Sequence, residues 1–373
     1  MFENFSDENS IFFGSFLIKF CIFSSPQVMN LVVRTLPHDQ QLNLVETYLP
    51  LMKLNDSIPD LYVTSGLLGF IDAAIPLEDH FEQLVHELTK LSLQSEDEKA
   101  RKLANQLLCS LFNRAPIDDK HRKILRKIFE IIKEELKKSN HKAAELLGWI
   151  SKGLLARGHP DAAELLETLS ELLDHPRLST AAELAFEIIS LEFPQLHLPL
   201  LKHLFKQKIF VLAMKFLEHK IEKFSEHHLT AMAHILQITP HQVLKMNIDK
   251  VGPILIKCLQ SDGEHGKRVI LSLGIINHFI IESNQYILDH LQSLMKEFLK
   301  LSQLKSSMEV RIKACNCLEN VTKFPLFTLV PYKNDVLNDL TVALDDPKRL
   351  VRSAAVAARL AWFVLGENEG DKK

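Results

Sequence analysis

Leu172–Ile189 reads LLDHPRLSTAAELAFEII, and Ala343–Phe363 reads ALDDPKRLVRSAAVAARLAWF. Each stretch leaves one apolar helix, crosses an acidic-Pro-basic turn and enters a second helix that opens on small residues. The aspartate offers a cap for that second helix, and the proline sits where a missing N–H costs nothing. Ala181, Ala182 and Ala185 in one copy, and Ala354, Ala355, Ala357 and Ala358 in the other, allow two helices to approach closely. The later copy carries Val351-Arg352 after its aspartate, and Glu309-Val310-Arg311 with Ala314 repeats that feature one unit earlier.

Working outward from these stretches, apolar residues recur at helical spacing from about Gln27 onward. Polar breaks fall near Ser95, Ser139, His175, His219, Asp262, Ser306 and Asp346, at intervals of roughly forty residues. That period is the length of two antiparallel helices and their turns. The expected fold is therefore all-α, a HEAT/armadillo-type alpha-solenoid of stacked antiparallel helix pairs, about seven of them in a curved right-handed array. Residues 1–26 match no repeat, residues 27–366 form the solenoid, and residues 367–373 are a polar tail. A chain opening within such an array is expected to present a raw helical face near Leu31 to Leu51.

Composition agrees with this class. The chain is 46% hydrophobic and 24% charged, with only 12 Gly and 15 Pro, too little turn chemistry for an all-β fold. A formal charge of -3 gives no global attraction to nucleic acid or an anionic membrane. The apolar stretch Ile11–Ser24 is short, broken by Lys19 and preceded by Glu3, Asp7 and Glu8, so it is read neither as a signal peptide nor as a membrane span. The five cysteines, Cys21, Cys109, Cys258, Cys315 and Cys317, are scattered through apolar segments, as expected of reduced thiols in the cytosol or nucleus.

Candidate chemistry is sparse. Cys315 and Cys317 stand two apart on a helix and point about 200° from one another, which disfavours a shared metal. His227, His228, His234 and His241 cluster locally, but Pro240 interrupts them and no Cys or carboxylate completes a ligand spacing. The basic run Lys120–Lys138 keeps an amphipathic period through Ile124, Leu125, Ile128, Ile131, Ile132 and Leu136. Glu130, Glu134 and Glu135 stand on the same helix as ion-pair partners, so a solvated face is expected there. No phosphate-binding loop, nucleophile elbow, zinc-protease or dinucleotide motif occurs, so the expectation is a protein without catalytic activity and without cofactor or metal.

The final helix is unusual in having no purely polar side. At 100° per residue, Lys348, Arg349, Arg352 and Arg359 share one arc with Val356 and Phe363, and Leu360 lies just outside it. The other faces carry Val351, Ala354, Ala358, Ala361, Trp362 and Leu365. A helix apolar nearly all round is covered on more than one face. The cover expected on the last face is either the tail or a partner protein.

Several stretches occur in an order that resembles one family. They are Gly148-Trp149-Ile150-Ser151-Lys152 with His159-Pro160, Lys206-Gln207-Lys208-Ile209-Phe210, Val310-Arg311-Ile312 with Cys317-Leu318, and Leu329-Val330-Pro331-Tyr332-Lys333. Leu344-Asp345-Asp346 with Lys348-Arg349-Leu350-Val351-Arg352, then Trp362-Phe363 and Leu365-Gly366, complete the series. The pattern, strongest over Leu146 to Gly366, resembles the C-terminal domain of the Mms-nineteen nucleotide excision repair protein family. That resemblance implies a cytoplasmic and nuclear scaffold of the cytosolic iron–sulfur protein assembly targeting complex. In that role it would act with a MIP-eighteen family protein and a WD-repeat propeller subunit to deliver clusters to client enzymes of DNA repair and replication. Direct nucleic-acid binding and membrane association are not implied. Family members are longer, with an N-terminal HEAT region that has no counterpart here. The residues carried over as a partner-binding surface are Lys348, Arg349, Arg352, Trp362 and Phe363, with Arg359 added from the basic arc. For Arg352 a bond to Asp345 or Asp346 within its own repeat is the competing reading. The rival functions for the same fold are a nuclear transport or phosphatase adaptor and a HEAT-like DNA-binding repair protein.

Overall fold

The computed structural model describes residues 33, 35–49, 58–68, 77, 80–192, 203–260 and 266–366; the segment 1–26, Asp262 and the tail 367–373 lie outside these. Every regular element of more than one turn among the described residues is a helix. Two compact units divide the chain at residues 212 and 213.

The first unit opens with α1 (His38–Tyr48) and α2 (Ile58–Leu68), and continues through α3 (Phe81–Gln94), α4 (Glu98–Arg114), α5 (Asp119–Lys137), α6 (His141–Arg157), α7 (Ala162–Leu172) and α8 (Ser179–Ser190). Helix α9 (His203–Leu217) crosses the division. The second unit holds α10 (Glu226–Ile238), α11 (Ile248–Leu259), α12 (Gly266–Ile281), α13 (Leu291–Ser302), α14 (Met308–Val321), α15 (Lys333–Leu344) and α16 (Arg349–Phe363), joined by single helical turns. Ser95, Ser139, His175, Ser306 and Asp346 all lie in the turn between the first and second helix of a pair, and His219 lies in the 3-10 segment between α9 and α10. The breaks in hydrophobic periodicity thus mark the turns inside repeats.

Within each unit the second helices form one layer, α4 beside α6 beside α8, and α10 beside α12 beside α14 beside α16, with the first helices packed behind them. This explains two kinds of sequence. Helix α5 lies on one side only and buries a single stripe, Ile124, Leu125, Ile128, Phe129, Ile132 and Leu136, with lysines and glutamates opposite. Helix α6 is flanked on both sides and backed by a third helix, and its buried residues run round it from Ala143 to Ala156. Close approach is built in: a Cβ at Gly148 would lie 2.6 Å from that of Ala185, and one at Gly153 would collide with the carbonyl oxygen of Cys109. In the span Leu31 to Leu51, expected to present a raw face, the described residues Val33, Val45 and Leu49 are buried.

Helix starts obey local chemistry, though not through the acidic-Pro turn as read from sequence. Asp97, Asp118, Asn140 and Ser307 cap α4, α5, α6 and α14 by accepting backbone N–H bonds. Helices α8 and α16 begin at Ser179 and Arg349 with no side-chain cap. Asp346 instead accepts from Lys348 N at 2.8 Å, closing the turn that leads into the helix.

Helix ends are satisfied by basic side chains from neighbouring helices, which lie against the unpaired carbonyls and the negative end of the dipole. Lys152 donates to Ile188 O at 3.0 Å and Ile189 O at 3.1 Å at the end of α8. Lys333 donates to Phe363 O at 3.0 Å and Leu365 O at 2.8 Å at the end of α16. Arg157 and Arg114 do the same for Ala115 O and Leu68 O.

Ion pairs cross from repeat to repeat. Arg122 grips Asp161, with Nη2 2.6 Å from Oδ1 and Nε 3.0 Å from Oδ2. Arg311 Nε lies 2.7 Å from Asp346 Oδ2, and the Arg311 and Asp346 side chains are only 8% and 10% exposed. Arg311 Nη1 also donates to Leu304 O at 2.7 Å. Wholly buried Arg268 pairs with Glu226 and donates to its carbonyl at 3.0 Å.

Removing one member of a buried pair strands the other, at a cost of about 3–5 kcal/mol. Asp346→Ala is therefore expected to lower the unfolding free energy by that order, measured by chemical unfolding. For Arg122 and Asp161 the effect depends on pH. The Arg122 hydrogen bond, more than any other influence, holds the Asp161 carboxyl below its usual range. A carboxyl lowered in the folded state contributes fully above its unfolded pKa and loses that contribution as pH falls through the folded value. Arg122→Gln should flatten the acid limb of a stability-against-pH curve.

Candidate partner interface

Helix α16 packs on α14 and α15, and its opposite side meets no described residue closely enough to bury it. Lys348, Arg349 and Arg352 are exposed and Arg359 is half-buried. Val356 is 54% exposed, Leu360 59% and Phe363 55%, so an apolar row continues the basic arc along the helix. Leu350, 61% exposed, adds to the apolar area at the start of α16. The arc read from helical spacing is thus the solvent face.

Trp362 does not belong with it. The indole is fully buried and its Nε1–H donates to Leu318 O at 2.7 Å, joining α16 to α14. As a surface contact Trp362 is corrected to a core residue, because 100° per residue carries it away from Phe363 and onto the side facing α14.

Arg352 bonds to Asp346 within its own repeat, as the competing reading expects, but through the backbone carbonyl and not the carboxylate. Its Nη1 donates to the backbone carbonyls of Asp346 at 2.7 Å and Pro347 at 3.3 Å. The Asp346 carboxylate itself is taken by Arg311 from the preceding repeat. Arg359 Nε reaches Leu337 O at 3.4 Å.

The remaining clusters resolve into structural roles. Along the basic run, Lys127 pairs with Glu82 at 2.7 Å, Lys133 with Glu130 at 3.2 Å and Glu164 at 3.1 Å, Lys137 with Glu134 at 2.6 Å and Lys138 with Glu135 at 2.7 Å. A recess of about 270 Å³ lies between α3 and α5, lined by His86, Lys90, Gln94, Ile131 and Glu135 among others. His228 lies 2.8 Å from Ser225 Oγ and stacks on Phe224, while His241 lies 3.0 Å from Glu282. No group of three or more His, Cys, Asp or Glu among the described residues is placed to hold a metal ion. Cys109, Cys258, Cys315 and Cys317 are all buried. Burial pushes the Cys109 thiol up to about 12 and those of Cys258 and Cys315 to about 11, with Cys317 raised as well. No described helix is long and apolar enough to cross a membrane.

The motif Gly148–Lys152 is structural throughout. Gly148 permits the α6–α8 contact, Trp149 and Ile150 are core, Ser151 is buried, and Lys152 holds the end of α8. Lys333 plays the corresponding part in the second unit, and sequence spacing alone missed both lysines because their acceptors are backbone carbonyls roughly thirty to forty residues away. The split within α16 gives a test. Truncating a buried Trp costs about 3–5 kcal/mol, whereas Phe363→Ala at a half-exposed position should change stability by under about 1 kcal/mol. Urea unfolding of the two variants beside wild type measures the difference.

Comparison with known proteins places this architecture. The chain superposes on an engineered protein with a TM-score of 0.50 at 18% identity, covering 91% of this chain and 78% of that one. It superposes on a Kap121p mutant with a TM-score of 0.52 at 12% identity, covering 91% and 33% respectively. These likenesses concern the fold alone. In sequence it is 43% identical over 337 residues to the MMS19 nucleotide excision repair protein of Drosophila melanogaster, covering 90% of this chain and 35% of the relative. It is 28% identical over 295 residues to the Homo sapiens homolog, covering 76% and 28%. The chain thus spans about a third of the length of the curated relatives it matches. The family model described as RNAPII transcription regulator C-terminal matches residues 22–322, reaching well before the stretch from Leu146 that carries the clearest motifs. By that match and that identity, the chain belongs to the MMS19 C-terminal family.

Proposed function

We propose that this chain is a non-catalytic HEAT-repeat scaffold that works by binding other proteins, with a role in nucleotide excision repair. In the finer reading it is part of the cytosolic iron–sulfur assembly targeting complex, in the cytoplasm and nucleus, and passes clusters as cargo to DNA repair and replication enzymes. The observation that carries the proposal is the outward side of α16, where Arg349, Arg352, Val356, Leu360 and Phe363 combine charge and apolar area with no covering element among the described residues. Apolar surface rimmed by arginine is the make-up of a protein-binding patch. The pairing of the α5 lysines with glutamates supports a protein partner over nucleic acid, because charges already neutralised release few counterions. Family membership supports the repair role, and the resemblance of its C-terminal motifs supports the MIP-eighteen type and propeller subunits as partners.

The test is a pull-down of the full chain with purified MIP-eighteen type and propeller subunits, beside a chain carrying Arg349→Glu and Phe363→Ala whose helicity is confirmed by circular dichroism. Wild type is expected to retain the subunits and the folded variant to lose them. Absence of retention by wild type overturns the targeting-complex reading.

A further inference from the structure

The two arginines Arg311 and Arg352 occupy the same register. Arg311 stands four residues after the N-cap Ser307, and Arg352 four after the N-cap Lys348. Each uses Nη1 to hold the carbonyls of its own turn, Leu304 and Lys305 at 2.7 and 3.3 Å for Arg311, Asp346 and Pro347 at 2.7 and 3.3 Å for Arg352. On Arg311 the other edge is filled by a carboxylate from the following repeat, with Nε 2.7 Å from Asp346 Oδ2 and Nη2 3.3 Å from Oδ1. On Arg352 the Nε and Nη2 edge has no acceptor among the described residues. The apolar neighbour repeats the contrast. Cys315, four residues beyond Arg311, is fully buried, whereas Val356, four beyond Arg352, is 54% exposed.

We propose, on the scaffold reading above, that the outward face of α16 receives its partner protein as though the partner were a further repeat. A carboxylate at the start of a partner helix takes the place on Arg352 that Asp346 takes on Arg311, and apolar partner side chains cover Val356, Leu360 and Phe363. Charge selects this occupant. Helix α16 contains no acidic residue, and Lys348, Arg349, Arg352 and Arg359 all lie on or beside the face. A second copy docking through the same face would set cations against cations. The tail's own carboxylates, Glu367, Glu369 and Asp371, follow the far end of α16. From Arg352 to Gly366 is roughly 20 Å of helix at 1.5 Å per residue, and the Arg352 guanidinium turns back toward Asp346, away from that end. Bidentate pairing with a carboxylate is the geometry a guanidinium edge favours.

The experiment measures the affinity of the full chain for the MIP-eighteen type and propeller subunits. Arg352→Glu is expected to weaken binding at least tenfold, Arg352→Lys less, and removal of residues 367–373 to leave it unchanged. One lysine substitution among the acidic helix-start residues of the subunits should restore binding to the Arg352→Glu chain. Binding of Arg352→Glu within twofold of wild type, or capture of duplex DNA in place of the subunits through this face, overturns the proposal. If wild type binds neither subunit, the targeting-complex reading has failed and the face is judged separately, by appending a second copy of residues 323–366 after Gly366. A rise in thermal midpoint that is lost when the copy carries Asp346→Ala supports the carboxylate-receiving face, and no rise overturns it.

Discussion

The guanidinium of Arg311 binds its own turn on one side and the carboxylate of the next repeat on the other, and this double attachment shows what a stack of helix pairs requires. Each helix leaves orphan carbonyls at its end, and a repeat buries its apolar face only against a neighbour. Here the two needs are met by the same long basic side chains. Lys152, Lys333, Arg114 and Arg157 each leave one helix to close the end of another. Arg122 and Arg268 add ion pairs across adjacent repeats. Hydrophobic burial supplies most of the stabilisation, but it is non-directional. The charged contacts fix register, since a slip of one turn would strand a buried guanidinium.

Much of this architecture is legible in the sequence because its signals are local. Helical periodicity, the forty-residue spacing of breaks and the small residues of α8 and α16 each depend on residues within one repeat, and the structure places every described break within a turn or 3-10 segment. The basic run could be read as a solvated face for the same reason, its glutamates being three residues from their lysines. What spacing did not reveal lies between repeats. Asp346 looked like a partner for Arg352 or a cap for α16; its backbone carbonyl does accept from Arg352, but its carboxylate serves Arg311, whose claim is visible only in three dimensions. Trp362 and Phe363 are adjacent and both large and apolar, and a helix with no polar side gives no clue to which of them faces its neighbour.

The stretches that carry the resemblance are mostly the fastenings. Gly148, Trp149, Lys152, Arg311, Leu318 and Lys333 pack, pair or cap within the units, and so they recognise the fold more directly than they describe a task. The exposed row on α16 is of another kind. Val356, Leu360 and Phe363 satisfy no partner within the described residues, and their exposure opposes solubility without aiding the packing of α16.

The glycines of α6 bear on mechanics. At Gly153 the helix spacing is set by main chain facing the main chain of Cys109, and at Gly148 by main chain facing the methyl and Cα of Ala185, with no long side chain between to tilt or re-pack. Such a layer resists shear and compression as a close-packed solid does. Deformation of the first unit under load would fall instead on the joints spanned by lysine and arginine, whose several rotatable bonds let the charged end keep an acceptor while the stem swings. The central slab would transmit a displacement almost undiminished, and the compliance of the unit would reside at its margins.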